Sequence, residues 1–221
     1  MLWGADLIAS VEGNFGMKIN DDYANSRTPS AAIADVAPYG KDLFVDYKLM
    51  KGKTRMINMV NELGTIGGVH FTNIYVLAGK LLRATIKETK ESGVSILGIT
   101  ILTHMDEAYC QRTFRRSLQE SVLFLTEDAR DYGCAGVVMP GTCLDAVKDI
   151  SLIKVIPAIR PTWYVGKKAN QQEQPVTPSD VFRFPNTVAV AGSPIWDTEY
   201  PADSLMRILD EINDTRAKLP R

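Results

Sequence analysis

Short apolar runs alternate along this chain with longer segments in which apolar residues recur at helical spacing. This alternation constrains the fold more than any other feature, because strands separated by helices predict βα units and a parallel sheet. The candidate strands are residues 2–9, 17–20, 42–48, 67–71, 94–102, 136–139, 152–156 and 187–191. Roughly eight strands is the number that a (β/α)8 TIM barrel requires.

Two segments between the candidate strands have the apolar spacing of outer helices. One contains Met56, Val60 and Leu63, and the other runs from Ile74 to Ile86. Residues 204–218 predict a final helix, and no Ser/Gly-rich linker or repeat divides the chain. We therefore expect a single α/β barrel domain over residues 1–221. An open doubly wound sheet is the alternative fold, because the strand count alone is compatible with both.

Composition excludes several classes of function. The 25 Lys and Arg residues balance 26 Asp and Glu residues, so no overall charge attracts nucleic acid or an anionic membrane. The three cysteines lack a Cys-x-x-Cys spacing, which argues against a disulfide framework or a zinc site. No apolar run approaches the length of a membrane span, and the first residues lack the pattern of a signal peptide. We expect a cytoplasmic protein that binds neither membrane nor nucleic acid.

Asp46 and Lys48 end the third candidate strand on the same face, because successive strand side chains point to opposite faces. An acid and a base are thus directed to one place. In a closed parallel barrel the carboxyl ends of the strands surround the substrate, so this pair predicts a catalytic site. The alternative is a surface ion pair on an edge strand.

Other residues, most of them polar, also lie at or just after the ends of the candidate strands. In a barrel these residues would converge on one mouth, where acids and bases set each other's protonation states. They are Asp6, Lys18, His70, Thr103, His104, Pro157 and Gly192. Taken singly, a solvated Lys18, a buried and satisfied His70 and a helix-capping His104 remain alternatives. The two histidines lack a ligand partner at motif spacing, so we expect no metal site.

Several segments match the motifs of a known family in order. Residues 4–6 read Gly-Ala-Asp, residues 44–48 read Phe-Val-Asp-Tyr-Lys, and residues 99–107 read Ile-Thr-Ile-Leu-Thr-His-Met-Asp-Glu. Residues 155–161, 176–178 and 191–195 add a Val-Ile-Pro-Ala-Ile-Arg-Pro, a Val-Thr-Pro and an Ala-Gly-Ser-Pro-Ile segment. Together they resemble the orotidine 5′-phosphate decarboxylases over nearly the whole chain, and residues 99–107 are the most specific match.

The resemblance implies a homodimeric barrel that converts orotidine 5′-monophosphate to UMP without metal or cofactor. It implies that Lys48 protonates the carbanion, that Asp46 and Lys18 form a charged network with it, and that Asp6 and Lys18 hold the ribose. A preorganised ammonium is most effective where negative charge develops in a water-poor pocket. The remaining implied substrate contacts are His70, Thr103, His104 and Pro157. At the implied phosphate site, Gln172 and the backbone amides of Gly192 and Ser193 would bind the phosphate, and Arg160 or Lys167 would supply positive charge.

Four positions depart from the family pattern. One is Arg55, which stands where the family usually has a threonine. Lys51 replaces a second aspartate that in the family reaches into the partner's site, Ser193 replaces a phosphate-binding arginine, and His104 replaces a serine. If Lys51 is catalytic, the reaction or the substrate differs from that of the family. The alternatives are therefore a divergent lyase or isomerase acting on another phosphorylated or carboxylated ligand, and a non-catalytic ligand-binding barrel. The polar segment 162–174 is a candidate lid over the phosphate, or an ordinary exposed loop.

Overall fold

The computed structural model describes residues 11–164 and 174–219, which form a curled, entirely parallel sheet with helices on its outer side. The seven strands of this part of the chain pair in sequential order. They are β1 (Met17–Asn20), β2 (Leu43–Leu49), β3 (Val69–Tyr75), β4 (Ser95–Ile99), β5 (Gly136–Val138), β6 (Ile153–Ile156) and β7 (Thr187–Ala189). The predicted parallel α/β class is confirmed, and the candidate strand at residues 2–9 lies outside the described residues.

A 3-10 helix, Gly141–Val147, connects β5 to β6, and α-helices lie in the other connections and after β7. The α-helices are α1 (Asp21–Ser26), α2 (Pro29–Val36), α3 (Lys53–Ile66), α4 (Lys80–Glu88), α5 (Glu107–Phe114), α6 (Leu118–Tyr132), α7 (Pro178–Phe182), α8 (Ser193–Trp196) and α9 (Pro201–Ala217). Capping boxes begin two of them, with Ser117 and Glu120 at α6 and Thr177 and Asp180 at α7. In residues 11–164 and 174–219, no helix combines the length and apolar character that a membrane span requires.

The predicted helix between Ile74 and Ile86 is wrong in its first half. Ile74 belongs to β3, which runs from Val69 to Tyr75, and the helix begins only at Lys80. A 3-10 helix, Val76–Ala78, and then Gly79, with a φ of 56°, separate the two elements. The apolar spacing wrongly assigned Ile74 to the helix. Ile74 is fully buried in the sheet, and a buried apolar side chain fits a strand as well as a helix.

Strand alternation sorts the side chains of β2 into two layers. Leu43, Val45 and Leu49 pack outward against the helices, in the same core cluster as Met56 of α3. Phe44 instead packs inward, against a cluster formed by Leu97, Ile99, Val138 and Val155 of β4, β5 and β6. Asp46 and Lys48 follow Phe44 at intervals of two, so the same alternation directs them to the inner face.

Candidate active site

Asp46 is the centre of a charged network. Its Oδ2 accepts a hydrogen bond from Lys18 Nζ at 2.7 Å and lies 3.0 Å from Lys48 Nζ. Asp46 is only 8% exposed. Burial alone would raise the pKa of this carboxyl, but Lys18, Asn73 and Lys48 outweigh the burial and hold the pKa below its ordinary value. The structure therefore brings together the three charged residues that the sequence singled out on β1 and β2.

Asn73 of β3 fixes this network and was not anticipated from the sequence. Its Nδ2 donates to Asp46 Oδ1 at 2.6 Å, and its Oδ1 accepts a hydrogen bond from the backbone N–H of Lys48 at 2.7 Å. Lys48 has a φ of 49°, a left-handed conformation that a residue other than glycine adopts only at a cost. One buried amide thus orients the carboxylate and holds the strained backbone of the ammonium-bearing residue.

Asp21 and Tyr75 lie at the edge of the same network. Asp21 Oδ1 is 4.0 Å from Lys48 Nζ. Burial raises the pKa of Tyr75, Lys48 acts in the opposite direction, and the carboxylates of Asp46 and Asp21 raise it further. Tyr75 is therefore within electrostatic range of these three charges. Neither residue was predicted, since a single acid after a strand and an aromatic residue within one carry no motif.

A cavity of about 230 Å³ opens beside the network. Lys18 and Asp46 line it together with Arg160, which comes from the loop after β6. Its apolar wall consists of Phe44, Val138, Val155 and Val190. Since β1 and β7 are the two ends of the sheet, residues from both ends reach one cavity only because the sheet curls round it.

Arg160 is the arginine in the lining of this cavity. Its Nη1 donates to the Ile159 carbonyl at 2.8 Å, and its backbone N–H donates to the Val176 carbonyl at 2.8 Å. Its Nε is buried and has no hydrogen-bond partner among residues 11–164 and 174–219. Burial lowers the pKa of this guanidinium, while Tyr164 and Asp197 act in the opposite direction. A buried N–H without a partner is costly. The positive charge of Arg160 in the cavity lining would stabilise an anionic ligand there.

Only some of the other predicted site residues line the cavity. Pro157, Gly192 and Ser193 line the cavity. Thr103 and His104 lie in the turn after β4 and do not line it, and Lys51 is an exposed residue just after β2. Asp6, Gln172 and most of the candidate lid at residues 162–174 lie outside the described residues.

The predicted placement of His70 at the mouth is wrong. Because β3 begins at Val69 and continues to Tyr75, His70 lies near the amino end of the strand, opposite the charged network. Its Nε2 is 3.3 Å from Asp42 Oδ1, and its Nδ1 accepts a hydrogen bond from the backbone N–H of Leu43 at 3.4 Å. These contacts place it at the amino end of β2 as well.

Comparison with known proteins agrees with this geometry. A sequence model of the orotidine 5′-phosphate decarboxylase / HUMPS family matches residues 7–208. The orotidine 5′-phosphate decarboxylase of Paramagnetospirillum magneticum is 29% identical over 216 residues, covering 89% of this chain and 87% of the relative. That of Methylacidiphilum infernorum is 28% identical over 186 residues, covering 82% and 79%.

Solved structures show the same fold. The orotidine 5′-monophosphate decarboxylase of Methanocaldococcus jannaschii, complexed with the inhibitor BMP, superposes with a TM-score of 0.74 at 16% identity, covering 96% of this chain and 92% of the other. The orotidine 5′-phosphate decarboxylase of Lactobacillus acidophilus gives a TM-score of 0.71 at 20% identity, covering 89% and 86%. The predicted single-domain TIM-barrel class is confirmed.

Proposed function

Because the chain belongs to the orotidine 5′-phosphate decarboxylase / HUMPS family, we propose that it is a carboxy-lyase that converts orotidine 5′-monophosphate to UMP. The observation that carries this proposal is the Lys18–Asp46–Lys48 network beside a cavity that also contains Arg160. Lys48 would be the proton donor, Asp46 the carboxylate that holds the donor, and Arg160 the cation that binds the phosphate. These are the parts that a decarboxylation without an electron-accepting cofactor requires.

In the proposed reaction, the bond between the pyrimidine ring and its carboxylate breaks, and its electron pair stays on the ring carbon as carbon dioxide leaves. The Lys48 ammonium donates a proton to that carbon, and Lys48 regains a proton from solvent after the product departs. Asp46 holds the Lys18 and Lys48 ammonium groups within 2.7 and 3.0 Å before the substrate arrives. Charge that develops on the ring therefore meets preoriented cations, with little reorganisation during the reaction.

Arg160 is the proposed phosphate ligand. Ser193 stands where the family pattern has an arginine, and it lines the same cavity as Arg160. The position of Arg160 in the cavity lining supports the assignment, since a guanidinium there can donate charge-assisted hydrogen bonds to a phosphate. Binding energy from the phosphate, remote from the reacting carbon, offsets the cost of bringing the substrate carboxylate into the charged network.

The proposed enzyme is a homodimer. Met50, which follows β2, is 56% exposed, and Leu77, which follows β3, is 47% exposed. The two strands are neighbours, so both apolar side chains lie at the same end of the sheet, beside the charged network. A second copy of the chain that packs on this face would cover both side chains and bring the two sites close to the interface.

Turnover of orotidine 5′-monophosphate by the purified protein, followed by the absorbance change as UMP forms, tests the function. Lys48→Met is expected to lower kcat by at least about a hundredfold, because it removes the proton donor. Lys53→Met is the matched control, since Lys53 forms an exposed ion pair with Glu88 at 2.9 Å, away from the charged network. Absence of turnover by the unmodified protein would refute the proposal. Stabilisation by sugar phosphates but not by nucleotides would then favour another lyase or isomerase.

A further inference from the structure

Lys48 has a second carboxylate neighbour besides Asp46. Asp21 is the first residue of α1, and its Oδ1 lies 4.0 Å from Lys48 Nζ, compared with 3.0 Å for Asp46 Oδ2. The Lys48 side chain is 34% exposed and that of Asp21 is 42% exposed. An exposed pair of this kind contributes little to folding stability, so any importance of Asp21 lies in how it affects the ammonium.

The charges of the network do not balance without Asp21. Lys18 and Lys48 both approach the same oxygen of Asp46, so two ammonium groups share one carboxylate. Lys51, the next charged residue after Lys48, adds a cation at the same end of β2. Asp21 is the described carboxylate that offsets the excess positive charge at Lys48. The attraction strengthens when a bound substrate excludes water, because the effective dielectric constant falls.

The strand register explains why Asp21 lies there. Asn20 at the end of β1 pairs with Asp46 of β2. The next residue, Asp21, therefore follows on the mouth side of Asp46, where Lys48 also extends. Tyr75 of β3 lies within electrostatic range of Lys48, Asp46 and Asp21. Three adjacent strands thus place these groups together.

We propose that Asp21 is a positioning residue for the proton donor, Lys48, and that it serves as the second carboxylate of the charged network from within the same chain. The inference rests on the proposed decarboxylation. Asp46 and Asp21 hold the Lys48 ammonium between them, charged and directed at the reacting carbon. The network of two lysines and two carboxylates is then complete in one chain, although Lys51 replaces the acid that the family pattern places there.

Kinetics of three variants test the inference. Asp21→Asn is expected to lower kcat at least about tenfold with little change in KM, because a misplaced proton donor affects the transition state rather than substrate binding. Asp21→Glu is expected to recover most of the activity. Asp22→Asn, which changes the adjacent exposed carboxylate of α1, is the matched control and is expected to retain the activity of the unmodified protein. Equal kcat values for Asp21→Asn and Asp22→Asn would overturn the inference while leaving the decarboxylation intact.

A second measurement does not depend on turnover. Acetic anhydride reacts only with uncharged amines, and competitive labelling followed by mass spectrometry gives the reaction rate of each lysine. Loss of a neighbouring carboxylate is expected to speed the labelling of Lys48 at least about threefold in Asp21→Asn and not in Asp22→Asn. Unchanged labelling of Lys48 in Asp21→Asn would overturn the inference even if the protein does not act on orotidine 5′-monophosphate, a result that by itself refutes only the proposed function.

Discussion

Asp46 carries a negative charge at a position that is only 8% exposed, and two ammonium groups make that charge favourable. Its pKa is lower in the folded protein than in the unfolded chain, because the lysines and Asn73 outweigh the effect of burial. The resulting stability is present above the unfolded pKa of about 3.9 and is lost as the pH falls through the lower folded value.

Asp46→Asn should therefore destabilise the protein at neutral pH, where it leaves two lysines without their shared carboxylate. The difference in melting temperature between the unmodified protein and this variant should shrink as the pH falls below about 4, because Asp46 then binds a proton in the unfolded chain before it does so in the folded protein. Melting curves from pH 7 to pH 3 measure this. The matched control is Asp42→Asn, which removes an exposed carboxylate and should show a smaller difference at pH 7. A difference for Asp46→Asn that is independent of pH would contradict this account.

Arg160 permits a second test at the level of a single side chain. If its guanidinium binds the phosphate, Arg160→Ala should raise KM for orotidine 5′-monophosphate by about tenfold to a hundredfold, the loss expected for a hydrogen bond between charged groups. Activity towards orotidine, which lacks the phosphate, should not change. Arg183→Ala is the control, because Arg183 is exposed and lies against the ring of Phe184. Equal losses on both substrates would show that Arg160 acts on something other than the phosphate.

At the level of elements, β2 and β3 depend on each other at their carboxyl ends. Asn73 of β3 bonds both the Asp46 side chain and the Lys48 backbone of β2. We expect Asn73→Ala to cost about 1–3 kcal/mol of unfolding free energy, since it leaves buried polar groups without partners, and to lower kcat. Asn61→Ala, at an exposed position of α3, is the control. Urea unfolding and steady-state kinetics measure both effects, and equal values for the two variants would contradict the role assigned to Asn73.

The sequence predicted the elements whose pattern is local. Residues 17–20 match β1, and the alternation in residues 42–48 placed Asp46 and Lys48 on one face. Asn73 and Asp21 were missed because their importance comes from contacts across strands, which no spacing along the chain expresses. His70 was misplaced for a related reason, since an apolar run shows that a strand exists more reliably than where it ends.

For the whole molecule, the exposed apolar side chains beside the site predict how two copies assemble. Introducing a charge there, with Met50→Lys combined with Leu77→Lys, should convert a dimer to a monomer, because a desolvated ammonium is unfavourable in an apolar interface. Sedimentation velocity measures the mass in solution. Met206→Lys changes an exposed methionine of α9 and should leave the dimer intact. A monomeric unmodified protein, or a dimer that survives the double substitution, would contradict the proposed interface.

The curled sheet brings its two ends to one cavity. We propose that this cavity binds a pyrimidine nucleotide in a defined direction. A crystal structure of the protein with UMP bound tests it most directly. We expect the ring carbon that loses the carboxylate to face Lys48 and the phosphate to contact Arg160, Gly192 and Ser193. A nucleotide bound in the reverse direction, or outside the cavity between β2 and β6, would contradict it.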